Sequence, residues 1–202
     1  MTPDWVSALA NVAMAAAAIA AAWAAIGGIN SWRKQAVWQR DHELARKLLV
    51  CQYSLRDQLY AVRNPFMSGA EWEPQEGEEA AKTKADEKRL AYSRRWERFS
   101  ERAREREALL LEADAIWGKG LRIFVKDLRE LEHELYRTVH LYLDECSSHD
   151  EEMRRDLREL RKSKRDILFE LSEEKDSFRS DYAKAEVSFE DFLRGKLGGQ
   201  TP

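Results

Sequence analysis

Charge is missing from the start of this chain: none of the twenty-five residues from Trp5 to Ile29 carries one. A buried helix of a soluble protein rarely needs so long an uncharged run. At about 1.5 Å per helical residue the run reaches roughly 37 Å, enough to cross a hydrocarbon core of about 30 Å. A cleaved secretory signal is the competing reading, but such signals open on positive charge and have a shorter apolar core, whereas only Asp4 precedes this run as a charge. Cysteine is scarce too, and Cys51 and Cys146 are expected as free thiols on the cytoplasmic side, Cys51 in core packing. Four prolines and nine glycines favour long helices over sheets. No phosphate-binding glycine loop, nucleophile elbow or dinucleotide fingerprint occurs, so no catalytic residue and no cofactor is assigned and the chain is read as a non-enzyme.

The uncharged run is mostly alanine, and its large residues form one helical stripe: Trp5, Leu9, Val12, Ile19, Trp23 and Ile26. The other side is small. Ala8, Ala15, Ala18, Ala22 and Ala25 share a row with Asn11, and Ala10, Ala13, Ala17, Ala20, Ala24 and Gly27 form a second. In lipid, helices associate by close backbone approach along small residues and by hydrogen bonds such as Asn11 can offer. Self-association is expected through Asn11, Ala15, Ala17, Ala18, Ala20, Ala22 and Ala24; a monomeric, alanine-rich anchor fits the same residues equally well. Basic residues gather on one side only, with Arg33, Lys34, Arg40, Arg46 and Lys47 after the run and none before Trp5. The positive-inside rule then puts the N-terminus outside and the C-terminal bulk in the cytoplasm, with Arg33, Lys34 and Arg40 at the lipid headgroups.

The remainder is charged in blocks. Residues 33–63 carry +4, 71–87 carry −5, 88–106 carry +5 and 107–194 carry −7. Apolar residues recur at helical spacing through it. Leu44, Leu48, Cys51, Leu55, Leu59 and Val62 form a first stripe, ended by the tetrad Arg63-Asn64-Pro65-Phe66, where proline disfavours helical angles at Asn64 and Phe66 is free to fold back onto the stripe. With no breaker except Gly27-Gly28, the membrane helix is expected to continue into this one as a stalk. An acidic, turn-rich and mobile loop follows near 67–83. A second stripe reads Tyr92, Trp96, Phe99, Ala103, Leu110, Ala113 and Trp117, with Arg106 in the one slot due for an apolar residue and Gly118 as a cap. A third runs Leu121, Phe124, Leu128, Leu131, Leu135, Val139 and Tyr142. A fourth runs from near Asp150 through Met153, Leu157, Leu160, Ile167 and Leu171 to Phe178, Tyr182, Ala185, Phe189 and Phe192, with a break allowed near Asp176-Ser177. The fold expected is all-α: an N-terminal tail and transmembrane helix at 1–32, an antiparallel cytoplasmic bundle at 33–197 and a C-terminal tail at 198–202. A single extended coiled coil is the rival, disfavoured by the turns at Gly118 and Ser147.

Several stretches carry a likeness: Glu43-Leu44-Ala45-Arg46-Lys47-Leu48-Leu49, Tyr53 to Arg56-Asp57, Arg63-Asn64-Pro65-Phe66, Trp117-Gly118-Lys119 and the segment from Asp166 to Leu193. In these the chain resembles an uncharacterised family of bacterial single-pass membrane proteins with a cytoplasmic helical domain. The resemblance covers nearly the whole cytoplasmic part and implies an anchored helical domain, with no activity attached. The chain departs from the pattern in lacking a proline at Asp176-Ser177-Phe178.

Two constellations invite chemistry. Glu130 and His133 have the i, i+3 spacing of di-iron bundles, with His140 on the same face and Cys146 and His149 beyond. The pair occurs once and no zinc-type ligand spacing accompanies it, so exposed histidines are the preferred reading and no metal is assigned. The basic stretch Lys88 to Arg106 holds Tyr92, Trp96 and Phe99, as a nucleic-acid surface would. Those aromatics, however, share one seam while Arg94, Arg95, Arg98 and Arg102 lie mostly elsewhere, so nucleic acid is not the expected partner. What is expected is a membrane-anchored interaction or scaffold module at the bacterial inner membrane. Its partners are the lipid bilayer, other copies of itself and an unidentified cytoplasmic protein; the alternative is an oligomerising, membrane-perturbing effector of a toxin or phage-defence type.

Overall fold

A computed structural model describes residues 4–77, 80–163, 165, 167–169 and 176–198. Among these there are five α-helices and no strand. They are α1 (Asp4–Arg63), α2 (Lys84–Trp117), α3 (Arg122–Ser147), α4 (Glu151–Lys162) and α5 (Ser177–Leu197). The chain divides into two compact units, Met1–Glu43 and Leu44–Pro202.

In the first unit, α1 is the one helix among the described residues long and apolar enough to cross a membrane. Its large apolar residues are exposed: Leu9, Val12 and Trp23 at 69%, 70% and 75%. Burial within its own chain therefore does not explain why these residues are apolar. The helix passes through Gly27-Gly28 without interruption, as expected of a sequence lacking proline between Asp4 and Asn64.

The second unit is a helical bundle whose core follows the stripes. Leu44, Leu48, Cys51, Leu55, Leu59 and Val62 of α1 are all buried, and α3 packs against α2, α4 and α5. Chain ends of the helices are chemically marked. Thr83 and Asp86 form a reciprocal capping box at the start of α2. Gly118 ends that helix at φ 79°, a conformation that a side chain would strain. Lys88 meets Tyr142, Arg106 meets Glu132 and Asp114 meets Arg122, so the chain reverses direction between α2 and α3.

Three expectations need correction. The fourth cytoplasmic stripe falls on two helices: α5 starts at Ser177, where the sequence allows a break, but α4 already ends at Lys162, and Ile167 and Leu168 between them are buried and not helical. Arg63 holds the carbonyls of Ile167 and Phe169; Leu171 lies outside the described residues. Within α4 no residue is buried, and Met153 and Leu160 are 52% and 49% exposed, because charge dominates this helix, which packs against α3. Phe66 does not fold back onto the stripe but is 82% exposed. Its N–H donates to Asn64 Oδ1 at 2.9 Å and its carbonyl accepts from Arg95 at 2.6 Å, which turns the ring outward.

Candidate functional site

Beside its apolar stripe, α1 presents a second row three to four residues apart: Gln52, Arg56, Tyr60 and Arg63. On a helix this spacing makes one face, and a polar face adjoining a core requires partners. The bundle supplies them. Gln52 is fully buried, its Nε2 donating to the Tyr182 hydroxyl at 3.1 Å and to Glu186 Oε1 at 3.4 Å, while its Oε1 accepts from Arg106 at 3.2 Å. Arg106, 1% exposed, binds Glu132 through both terminal nitrogens at 2.7 Å. Tyr182 donates to Glu132 Oε1 at 3.3 Å, and Arg56 closes the group on Glu186 Oε2 at 3.1 Å. Six side chains from α1, α2, α3 and α5 thus form one network whose two guanidinium and two carboxylate charges cancel.

Electrostatics follow from burial. Loss of water pushes the Glu186 carboxyl above its ordinary value despite the opposing pull of Arg56. Burial likewise raises the Tyr182 hydroxyl well above its usual range, with the nearby Glu132 charge adding to it. Burial works against the Arg106 charge, but the bidentate bond to Glu132 outweighs it and holds the guanidinium protonated more firmly than in water. Removing one partner of such a pair strands a buried charge at a cost of about 3–5 kcal/mol.

A second buried cation sits at the end of α1. Arg63 is fully buried, donating to the carbonyls of Ile167 at 2.8 Å and Phe169 at 3.0 Å and pairing with Asp176 at 2.9 Å. Its guanidinium also lies 4.7 Å from the Phe178 ring centroid. Asp176 caps α5 by accepting the Arg179 N–H, so one carboxylate ties the first residues of α5 to the last of α1. Arg95, 4% exposed, grips the loop that follows α1 through the carbonyls of Asn64 and Phe66 and the carboxylate of Glu71. Arg95 lies off the aromatic seam yet is buried, because its partners are groups of the loop after α1, which helical periodicity does not reveal.

The anticipated site residues divide accordingly. Asn11, Ala15, Ala17, Ala18, Ala20, Ala22 and Ala24 are all exposed on α1. Arg33, Lys34 and Arg40 are exposed as well, Arg40 meeting its neighbour Asp41 at 2.8 Å. Of the tetrad, Arg63 is a buried clamp while Asn64, Pro65 and Phe66 are exposed. Glu130 and His133 line one open groove of about 800 Å³ beside α5 together with Glu134, Arg137, Asp181 and Lys184. His140 belongs instead to a groove of about 500 Å³ between α2 and α3, where the Tyr136 ring meets Trp96 at a tilt, 5.0 Å between centroids, and His140 edge-on at 4.2 Å. Cys146 lies 3.6 Å from the Lys88 ammonium. Among the described residues, no three His, Cys, Asp or Glu side chains are placed to hold a metal ion.

Sequence periodicity marks Arg106 as an anomaly but not its partners. The signal available for the others was the row Gln52, Arg56, Arg63, polar residues at core spacing. Comparison with protein-family models, curated proteins and solved structures finds no match to this chain.

Proposed function

We propose that the chain is a membrane-anchored, non-enzymatic interaction module of the bacterial inner membrane, with its bundle antiparallel and cytoplasmic. The observation that carries the reading is the uncharged, alanine-rich part of α1, which leaves its large apolar residues exposed in the chain itself. Such a surface needs lipid or other helices to cover it. The basic residues Arg33, Lys34 and Arg40 beyond it suit anionic headgroups, each contributing about 1 kcal/mol near the surface. Asn11 and the small residues from Ala15 to Ala24 serve contact between copies.

In the second unit the polar network supports a scaffold rather than a reaction centre. Its acids and bases are spent on one another and buried, so they set the register of four helices. The exposed charged faces of α2, α3 and α4 are left for a cytoplasmic protein partner.

Alkaline carbonate extraction of membranes from cells expressing the full chain tests the anchor: retention in the pellet is expected, and release of intact protein refutes it. The effector alternative predicts a different outcome. Dye entry on induction of the full chain, absent when the chain begins at Arg33, would replace the scaffold reading with membrane perturbation.

A further inference from the structure

The charge-free segment of α1 has marked ends. It runs from Trp5 through Trp32, with Asp4 directly before the first tryptophan and Arg33 directly after the second. Both indoles are exposed, at 68% and 69%. From Trp5 to Trp32 the helix rises about 40 Å at about 1.5 Å per residue. A bilayer measured with its headgroup layers is about 40–45 Å thick. An indole is apolar over most of its rings but carries one N–H donor, so it is favoured where hydrocarbon meets wet headgroups and is enriched at both faces of spanning helices.

We infer that Trp5 and Trp32 lie in opposite headgroup layers of the bilayer and fix the depth at which α1 sits. The inference rests on α1 being a membrane span and adds where the lipid begins and ends. It assigns a depth to every residue between. Trp23, 75% exposed, falls about 7 Å from the midplane, inside the hydrocarbon. Asn11 falls about 11 Å from the midplane on the other side, deep enough that its amide must find an acceptor in protein. Arg33 and Lys34, one and two residues beyond Trp32, stand at the phosphates, where their charged heads stay wet. Trp38, packed 4.9 Å from His42, then lies about 9 Å past Trp32 and belongs to the aqueous side.

Three tryptophans on one helix are therefore expected to report shallow, deep and shallow environments in the order Trp5, Trp23, Trp32. The full chain, labelled with 5-fluorotryptophan and placed in nanodiscs of phosphatidylethanolamine and phosphatidylglycerol, gives a fluorine resonance for each. Trp→Phe substitutions at positions 5, 23 and 32 assign them without touching the bundle core. A water-soluble gadolinium chelate should attenuate Trp5 and Trp32 and spare Trp23, and dissolved oxygen, which concentrates in hydrocarbon, should relax Trp23 most. If Trp23 is spared but Trp5 or Trp32 is either as deep as Trp23 or fully aqueous, the assigned depth is wrong while the span stands. If the chelate attenuates all three alike, the span itself fails and the inference falls with it.

Discussion

Truncating Arg106 to methionine isolates the energetics of the buried network. The substitution keeps an unbranched apolar stem in the space between α1 and α3 but removes both bonds to Glu132 and the one to Gln52. Glu132, 7% exposed, would then keep the Tyr182 hydroxyl as its one hydrogen-bond partner among the described residues, and stranding its charge costs about 3–5 kcal/mol. For a domain of this size each kcal/mol shifts the midpoint by about 2–4 °C, so thermal unfolding should come about 6–20 °C earlier. Glu132→Leu alone should cost a similar amount by stranding Arg106. The pair of substitutions together should restore most of the loss, because no uncompensated charge remains, and the double-mutant cycle should show coupling of about 2 kcal/mol or more. Circular dichroism melts of the full chain in detergent micelles give all four corners of the cycle. A fall of less than about 2 °C for Arg106→Met, or a double variant as unstable as the sum of the singles, would refute the claim that this pair is buried and mutually neutralised.

Arg63→Ala should cost about 3–5 kcal/mol and raise hydrogen exchange at the start of α5, whereas Phe66→Ala, in the same tetrad, should stay within about 0.5 kcal/mol. Folding raises the Glu186 pKa above its ordinary 4.5, so the folded state holds that proton more tightly; its contribution is most favourable below 4.5 and declines as pH rises through the folded value, and Glu186→Gln should flatten that part of the stability curve measured by denaturant titration. Burial, reinforced by Glu105, pushes the Cys51 thiol up to about 11, so maleimide at pH 8 should modify Cys146 in the folded chain and Cys51 only after unfolding, read by intact mass. Replacing Ala17 and Ala20 with leucine should lower self-association in a membrane two-hybrid assay, and an unchanged signal would leave a monomeric anchor.

What was legible in the sequence was whatever repeats along one helix. The stripe from Leu44 to Val62 emerges because each residue's burial depends on neighbours three and four positions away. The stop after Arg63 emerges because proline acts locally. The fourth helix misled for the same reason: helical spacing carries on through Ile167, but there a side chain 104 residues earlier takes the backbone carbonyl. Arg95 and Arg106 show the limit from the other direction. Arg95 lies off the aromatic seam and Arg106 on an apolar slot of it, and in both cases it is the carboxylates and carbonyls brought in from α1, α3 and the 64–71 loop that make the charge tolerable inside.

Access of Cys146 across the membrane tests the central claim most directly. A membrane-impermeant maleimide added to inverted inner-membrane vesicles should label this half-exposed thiol, and the same reagent added to intact spheroplasts should leave it untouched until they are permeabilised. Labelling from outside intact spheroplasts, or recovery of the labelled chain in the soluble fraction, would contradict a bundle held on the cytoplasmic side by α1.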